Sequence, residues 1–215
     1  MMSSKSVLVF GAGGHAKVAV DVLLSAGHHV VACLDLLPGE PVLGVPVLDE
    51  AIELDRLIDS GHSHAFVAIG DNAVRQRQSA RARKLGLTLV NAVSPRAYVA
   101  PSVILGSGIL IVHGAVVNAC SELGDDVIIN TAASVDHDNI IGAGVHIGPG
   151  SHLAGSVTVG NGAFVGAGSV VIPGIIIGPG AAIGAGSVVV RDVVPHHRSW
   201  GSPARDMGSV ATNGD

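Results

Sequence analysis

A six-residue repeat of aliphatic side chains runs through almost half of the sequence. Every sixth residue from Val93 to Val189 is Val, Leu or Ile, at seventeen consecutive positions, and the residue four places later is mostly Ala, Ser or Val. A helix has apolar residues every three to four positions and a half-buried strand every two, so neither explains this period alone. Short strands joined by tight turns, three to a coil of eighteen residues, do explain it. We therefore predict a hexapeptide parallel β-helix over residues 92–192.

Glycine spacing and amino-acid composition agree with such a solenoid. Glycines also recur at intervals of eighteen residues, at Gly106, Gly124, Gly142, Gly160 and Gly178. Hydrophobic residues make up 48% of the chain but aromatic residues only 2%, and charged residues make up 13%, against roughly 25% in soluble proteins. A chain of this kind has to bury small aliphatic side chains in tight, repeated layers.

Residues 1–91 follow a different pattern, in which short apolar runs alternate with helical ones. We predict strands over 6–10, 29–36 and 64–70, a helix that runs through Ala26, and a helix over 71–86 that is capped by Asp71 or Asn72. This alternation indicates a small Rossmann-like parallel α/β domain. About three strands are too few for a complete dinucleotide dehydrogenase. We expect residues 193–215 to be a tail that caps the last coil or, alternatively, contributes to a ligand site.

A glycine-rich turn separates the first predicted strand from the first helix. Gly11, Gly13 and Ala16 have the G-x-G-x-x-G/A spacing, and Asp35 follows at the end of the next strand. Backbone N–H groups at a helix N-terminus bind phosphate favourably, and a carboxylate at the end of the second strand, such as that of Asp35, can bind a ribose hydroxyl. The turn therefore predicts a nucleotide site, although a tight turn without a ligand is the alternative interpretation.

Charge and segment composition argue against several classes of protein. The net charge of −5 and the absence of a basic stripe disfavour nucleic acid as a partner. Residues 169–190 carry no charge and could span a bilayer by length, but Pro173 and Pro179 interrupt them and the six-residue period continues through them. The first apolar run, of five residues, is short for a secretory signal, and two cysteines without disulfide or metal spacing suit a reducing compartment. We expect a cytoplasmic protein with no membrane insertion.

Three histidines, His137, His146 and His152, fall in a stretch of the repeat that is otherwise mostly apolar or small. They can be ordinary surface residues of a solenoid wall. They can also form a zinc site like that of the γ-class carbonic anhydrases, although the spacings of nine and six differ from those of its ligands. The third interpretation is acyl transfer with a histidine base. His137 has the best setting for it, because Asp136 and Asp138 flank it and a carboxylate orients an imidazole and raises its basicity.

An ordered set of motifs over nearly the whole chain adds a family resemblance. The motifs are "FGAGGHAKV", "AIGDN", "INTAASVDHD", "GVHIGPGSHLAG", "FVGAGSVV" and "GSPAR". With them the chain resembles the bacterial sugar acetyltransferases of the NeuD/PglD type. The resemblance implies a left-handed β-helix and a homotrimer with active sites between subunits. It also implies that the α/β domain holds a nucleotide-linked sugar and that acetyl-CoA lies between adjacent subunits.

The resemblance also implies roles for individual residues. His137 is expected to be the general base and Asp138 to support it, at a position where many members have Glu. Asn118 is expected near the base and the sugar. Four residues of the glycine turn and of the following strand are expected to bind the nucleotide-linked sugar: Gly13, Gly14, His15 and Asp35.

On the acetyl-CoA side, the resemblance implies a second group of residues. His146 is expected to lie near the thioester. The backbone N–H of Gly155 is expected to donate a hydrogen bond to the thioester carbonyl and so to stabilise the oxyanion that forms there. Backbone at Ala167 and Ala185 is expected to line the pantetheine channel. We expect no metal ion at this site.

Together these observations predict an acetyl-CoA-dependent N-acetyltransferase. Its acceptor is expected to be the amino group of a UDP- or GDP-linked 4-amino-4,6-dideoxy sugar, which attacks the thioester directly because no cysteine is placed to form an acyl-enzyme. O-acetylation of a sialic acid by the same residues is the nearest alternative. A zinc carbonic anhydrase and a non-catalytic nucleotide-binding scaffold are more distant ones.

Overall fold

The computed structural model describes residues 4–210 of the chain. It divides into two compact units. The first comprises the chain up to Pro95 together with Ser107–Leu110, and the second comprises Arg96–Gly106 together with the chain from Ile111 onward.

The N-terminal part contains a six-stranded sheet and three helices. In chain order the elements are β1 (Ser6–Phe10), α1 (Gly14–Ser25), β2 (His29–Asp35), β3 (Gly39–Val42), β4 (Val45–Asp49), α2 (Glu50–Asp59), β5 (His64–Val67), α3 (Asn72–Lys84) and β6 (Thr88–Leu89). The strand order is β3-β4-β2-β1-β5-β6, and only the β3–β4 pair is antiparallel. The three predicted strands and both predicted helices are present. The expectation of about three strands is wrong, because β3, β4 and β6 complete the sheet.

Local sequence explains why the functional loops of this domain lie at one edge of the sheet. Val7, Leu8, Val9 and Phe10 on β1 are at most 1% exposed, as in a parallel strand covered on both faces. In a parallel sheet, helices that follow strands begin at the carboxyl edge, and side-chain caps fix two of these beginnings. Asp49 accepts a hydrogen bond from the N–H of Ala51, and Asp71 from that of Val74.

The repeat forms seventeen two-residue strands. They are β7 (Ala92–Val93), β8 (Tyr98–Val99), β9 (Ile104–Leu105), β10 (Leu110–Ile111), β11 (Val116–Val117), β12 (Glu122–Leu123), β13 (Ile128–Ile129), β14 (Ser134–Val135), β15 (Ile140–Ile141), β16 (His146–Ile147), β17 (His152–Leu153), β18 (Thr158–Val159), β19 (Phe164–Val165), β20 (Val170–Val171), β21 (Ile176–Ile177), β22 (Ala182–Ile183) and β23 (Val188–Val189). Every third strand pairs in parallel, which gives three walls. From Ile111 to Val189 the second residue of every strand is at most 3% exposed. The predicted fold class, an α/β domain followed by a left-handed parallel β-helix, is confirmed.

One residue in each turn of the β-helix has a left-handed backbone conformation. From residue 108 to residue 186, fourteen residues spaced six apart have φ between 54° and 75°. Nine of them are glycine, and the others are Cys120, Asp126, Ala132, Asp138 and Ser156. This conformation costs a residue with a side chain roughly 1–2 kcal/mol, and Asp and Asn tolerate it best because they hydrogen-bond locally.

After the repeat, the chain forms a hairpin of β24 (His197–Gly201) and β25 (Ala204–Ser209). β24 pairs in parallel with β22 and in antiparallel with β25, so the hairpin supplies hydrogen-bond partners to the end of the wall formed by β7, β10, β13, β16, β19 and β22. The last residues of the predicted tail, 211–215, lie outside the described part of the chain.

The uncharged run at residues 169–190 is part of the solenoid, since it contains β20 to β23. Within residues 4–210, no helix is both long and apolar enough to cross a membrane.

Candidate active site

His137 and Asp138 form a hydrogen-bonded pair at the turn that follows β14. The imidazole Nδ1 lies 2.7 Å from Oδ2 of Asp138, and both side chains are 59% exposed. Asp138 occupies the left-handed position of this turn, with φ 57°, and in this conformation its carboxylate reaches the ring of the preceding residue. Because Nδ1 is engaged, Nε2 is the ring nitrogen that can accept a proton from a substrate.

The two aspartates beside His137 have different functions in the structure. Asp138 contacts the ring, and this hydrogen bond is the main reason why the pKa of His137 is raised above its ordinary value of 6.5. Asp136 instead accepts from the backbone N–H of His137 at 2.8 Å and from the side-chain amide of Asn118 at 3.0 Å. These two bonds lower the pKa of Asp136. Asn118, predicted near the base, therefore reaches it through Asp136.

The ring of His137 lies directly against Gly155, in the next coil. A Cβ atom on Gly155 would be 2.5 Å from Nε2 of His137, so a side chain there cannot coexist with the ring in this position. The carbonyl of Gly155 accepts from the N–H of Gly174, whereas its own N–H donates to no acceptor within residues 4–210. A proton acceptor and an available backbone donor thus lie side by side at this corner.

The other predicted acetyl-CoA residues lie elsewhere on the solenoid. His146 is on β16, 9% exposed, with Nε2 3.0 Å from the side-chain amide of Asn130 and its ring edge-on to Phe164 at a centroid distance of 5.3 Å. Ala167 and Ala185 are exposed corner residues of successive coils. The structure therefore brings Gly155 to His137 and places His146 on a different wall.

His152, for which we expected no special role, bonds Ser134 through Nδ1 at 2.8 Å. Within residues 4–210, no group of three or more His, Cys, Asp or Glu side chains could hold a metal ion.

A cleft of about 410 Å³ opens at the carboxyl edge of the α/β sheet, and all four residues predicted to bind the nucleotide-sugar line it. These are Gly13, Gly14, His15 and Asp35. Asp35 holds the glycine turn closed, because its Oδ2 accepts from the N–H of Ala12 at 2.7 Å and its Oδ1 from that of Leu36 at 2.8 Å. A neighbouring cleft of about 430 Å³ shares Gly13 and Asp35 and adds the cation of Lys17.

His15 is uncharged at neutral pH. Burial and, to a lesser degree, the positive charge of Arg75 lower its pKa to about 4. Arg75 is 1% exposed and donates to the carbonyls of Ile69 and Gly70, at 3.1 and 3.0 Å, in the strand-to-helix turn that lines the cleft. A neutral imidazole can donate and accept hydrogen bonds at a nucleotide.

Sequence reasoning did not find Arg75 or Asn139, which is buried under the His137 turn. A signal existed for each. Arg75 shares its helix face with the small residues Ser79 and Ala82, which are also buried. Asn139 occupies a position that other hexads give mostly to Ala, Ser or Val.

Comparison with known proteins agrees with the fold and with the site. The sequence profile of the PglD N-terminal domain matches residues 6–82, and that of the bacterial transferase hexapeptide (six repeats) matches residues 156–191. A histidine-to-asparagine mutant of perosamine N-acetyltransferase from Caulobacter crescentus, solved with CoA and GDP-perosamine, is 47% identical with a TM-score of 0.93, over 96% of this chain and 99% of that one.

Two further solved structures are similar over 95% of this chain and 100% of theirs. The acetyltransferase domain of PglB from Neisseria gonorrhoeae is 36% identical with a TM-score of 0.90, and WeeI from Acinetobacter baumannii is 26% identical with a TM-score of 0.86. An uncharacterised protein of Acanthamoeba polyphaga mimivirus is 32% identical over 120 residues, which are 55% of this chain and 24% of that protein.

An α/β domain with a glycine turn, followed by a hexapeptide β-helix with a histidine–carboxylate pair at a corner, defines a hexapeptide-repeat acyltransferase. Within that class, the chain belongs to the NeuD/PglD-type bacterial sugar acetyltransferases.

Proposed function

We propose that this protein is an acetyl-CoA-dependent N-acetyltransferase whose acceptor is the amino group of a GDP-linked 4-amino-4,6-dideoxy sugar. The observation that carries the proposal is the His137–Asp138 pair against Gly155, in a chain 47% identical to a perosamine N-acetyltransferase that binds CoA and GDP-perosamine. Perosamine is itself a 4-amino-4,6-dideoxy sugar. Of the two nucleotide carriers that the sequence left open, this similarity favours GDP.

In this proposal, His137 acts as the general base. Its Nε2 takes the proton from the sugar amine as the nitrogen bonds to the acetyl carbonyl carbon, and the carbon–sulfur bond breaks to release CoA as a thiol, which receives that proton. Asp138 keeps the proton on Nδ1 and stabilises the imidazolium that forms. General-base catalysis of this kind contributes typically about 10²–10⁴-fold.

The residues at the corner also fit an acetyl thioester. Acetyl-CoA supplies the activated acetyl group. The N–H of Gly155, which donates to no acceptor within residues 4–210, is available to a developing oxyanion beside the base. We further propose that the exposed backbone at Ala167 and Ala185 lines the pantetheine channel. Because His146 lies on a different wall from His137 in its own chain, we propose that it approaches the thioester from an adjacent subunit.

We propose that the cleft in the α/β domain binds the nucleotide. Gly13 and Gly14 offer backbone N–H groups at the start of α1 to the diphosphate. His15 is neutral there and serves as a hydrogen-bonding group without adding charge. The remaining lone pairs of Asp35 are available to a ribose hydroxyl.

A direct assay tests the function. Purified protein is mixed with acetyl-CoA and GDP- or UDP-linked 4-amino-4,6-dideoxy sugars, and thiol release is followed together with the mass of the product. We expect an increase of one acetyl group on the GDP-linked amino sugar and a rate loss of about 10²–10⁴-fold in His137→Ala. Transfer to a sialic acid hydroxyl but not to amino sugars, or a His137→Ala rate within a fewfold of wild type, would overturn the proposal.

A further inference from the structure

Asn139 follows the His137–Asp138 pair and differs from its counterparts in the other coils. The residue after each left-handed turn position points into a corner of the β-helix, and Asn139 is 0% exposed there. From 115 to 187 the other buried residues of this series are Ala, Ser, Val or Ile, and Asn139 alone carries an amide. These residues are Ala115, Ser121, Val127, Ala133, Val145, Ser151, Val157, Ala163, Ser169, Ile175, Ala181 and Ser187.

The amide nitrogen of Asn139 lies among three backbone carbonyls. It is 2.8 Å from the carbonyl oxygen of Asp136, 3.2 Å from that of His137 and 3.0 Å from that of Ala154. The first two belong to the turn that carries the catalytic pair. The third precedes Gly155, whose backbone faces the ring of His137. One buried side chain thus joins the base-carrying turn to the glycine of the next coil.

Ser121, one coil earlier, completes this buried link. Its hydroxyl donates to the carbonyl of Asp136 at 2.7 Å and accepts from the backbone N–H of Asn139 at 3.2 Å. The N–H of Ser156 also donates to the carbonyl of His137, at 2.9 Å. The carbonyls of Asp136 and His137 are therefore each held by two donors, which fixes the peptide planes on both sides of the base.

Serines at the equivalent position show which of these bonds the fold itself requires. Ser151 and Ser169 each donate to the carbonyl fifteen residues further on, at Gly166 and Gly184. Asn139 makes the same bond to Ala154, fifteen residues further on. The bond to Asp136 also has a counterpart, because Ser187 donates to the carbonyl three residues earlier, at Gly184. Among the described residues of this series, only Asn139 combines these two bonds and adds a third, to the carbonyl of His137. The extra bonds are those that the second amide hydrogen makes possible. They come with a cost, because Oδ1 of Asn139 is buried and accepts no hydrogen bond within residues 4–210.

We propose that Asn139 is a positioning residue for catalysis: its amide holds the Asp136–Asp138 turn so that the His137–Asp138 pair stays assembled against Gly155. The inference rests on the proposed role of His137 as the base. A serine supplies either the coil-to-coil bond, as Ser151 does, or the bond to the carbonyl three residues earlier, as Ser187 does. The amide of Asn139 makes both bonds at once and adds the bond to His137, and this combination holds the turn against the next coil.

Asn139→Ser separates the two roles of the side chain. Its hydroxyl has one hydrogen, which it can donate to the carbonyl of Ala154, as Ser151 does to Gly166, or to that of Asp136, as Ser187 does to Gly184, but not to both. The bond to His137 is lost in either case. We expect a melting temperature near that of wild type, a kcat about 10-fold lower and KM values for both substrates within about twofold, because positioning affects the chemical step. Asn139→Val loses all three bonds, and its kcat is expected to fall further, by about 10²-fold.

Val127→Ala is the matched control. Val127 is a buried residue of the same series, 0% exposed, and truncating it lowers the melting temperature without touching the His137 turn. Its kcat at 25 °C is expected to stay within twofold of wild type. A full kcat in Asn139→Ser, or a loss of kcat in Val127→Ala equal to that in Asn139→Ser, would overturn the inference.

A readout that needs no substrate tests the inference independently of the proposed function. An NMR titration follows the imidazole of His137, assigned by the signal that disappears in His137→Gln. In Asn139→Ser we expect the pKa of His137 to move down towards 6.5, because a loosened turn weakens the bond to Asp138. An unchanged pKa would contradict the role of Asn139. If wild-type protein acetylates no amino sugar while the titration shifts, the function is wrong and the link between Asn139 and the His137–Asp138 pair still holds.

Discussion

At the scale of single residues, Gly155 determines where the base of the active site can lie. In Gly155→Ala, the new Cβ would stand 2.5 Å from Nε2 of His137, so the ring has to move away from the neighbouring coil. We expect kcat to fall by about 10²-fold, since a displacement of about 1 Å is enough for such a loss. Steady-state thiol release at saturating acetyl-CoA measures it.

Gly150→Ala is a suitable comparison for this variant. A Cβ on Gly150 meets nothing within 4 Å, and its φ of 62° is close to the 54° that Ala132 already adopts at an equivalent turn position. Its kcat should therefore stay near that of wild type. If the two glycine variants have the same kcat, the ring of His137 does not act from the position described.

The contact between His137 and Asp138 predicts a pH dependence. A base acts only when it is neutral, and the hydrogen bond to Asp138 raises the pKa of His137, so kcat/KM of wild type should fall with decreasing pH at a midpoint above 6.5. Asp138→Asn keeps a residue that tolerates φ 57° but removes the carboxylate. We expect the acidic limb of the kcat/KM profile to move to lower pH, and the plateau at high pH to fall by about 10-fold or more.

Asp136→Asn provides the contrast for the pH profile. Asp136 accepts hydrogen bonds from the backbone of His137 and from Asn118 but not from the ring. Asp136→Asn should therefore shift the acidic limb of the kcat/KM profile much less than Asp138→Asn does. An equal shift in both variants would mean that the net negative charge at the corner, and not the Asp138 contact, sets the pKa of His137.

At the scale of secondary-structure elements, the glycines spaced eighteen residues apart allow successive coils to approach closely. A Cβ on Gly124 would lie 2.7 Å from the backbone nitrogen of Ala143 in the next coil, and backbone cannot move aside as a flexible side chain can. Gly124→Ala is expected to destabilise the protein by about 1–3 kcal/mol, measured by denaturant unfolding.

Gly14→Ala makes the same chemical change as Gly124→Ala, but we do not expect it to lower the free energy of unfolding. Gly14 is the first residue of α1, and an added Cβ there meets nothing within 4 Å. An alanine at such a site restricts the unfolded chain and favours the helix, so stability should stay the same or rise by up to about 1 kcal/mol. Equal losses in both variants would contradict the close-approach explanation.

The elements also show what a sequence can predict. The β-helix was predictable because its core residues, from Val93 to Val189, repeat with one period over seventeen strands, and any other fold would scatter them. The strands β3 and β4 gave a weak signal, since β3 is four residues long and contains Gly39 and Pro41. The repeat marks Asn139 as an unusual residue at its position, but its function was missed because it depends on carbonyls of two coils, which the period alone does not place.

At the scale of the whole molecule, an apolar stripe on the β-helix supports the homotrimer that the resemblance implies. Ile104, Ile140 and Ile176 project from strands β9, β15 and β21 of one wall, at intervals of two coils, and are 61%, 53% and 53% exposed. Glu122 and Thr158 occupy the same position on the strands between them, β12 and β18, so the stripe is apolar in alternate coils. Burial of such a stripe against another copy of the chain would stabilise an assembly. We propose that this wall lies at the subunit interface.

Ile140→Glu tests this assignment. The chain has a mass of 21.4 kDa, so sedimentation of wild type should give three times that value. In Ile140→Glu, a second carboxylate beside Glu122 replaces the central isoleucine and should shift the assembly towards monomer. If acetyl-CoA lies between subunits, the variant should also lose activity in proportion to the loss of trimer, and regain it at high protein concentration. Ile52→Glu, at a side chain 70% exposed on α2, is the matched control and should leave mass and rate unchanged. A monomeric Ile140→Glu with full activity would show that each chain carries a complete site.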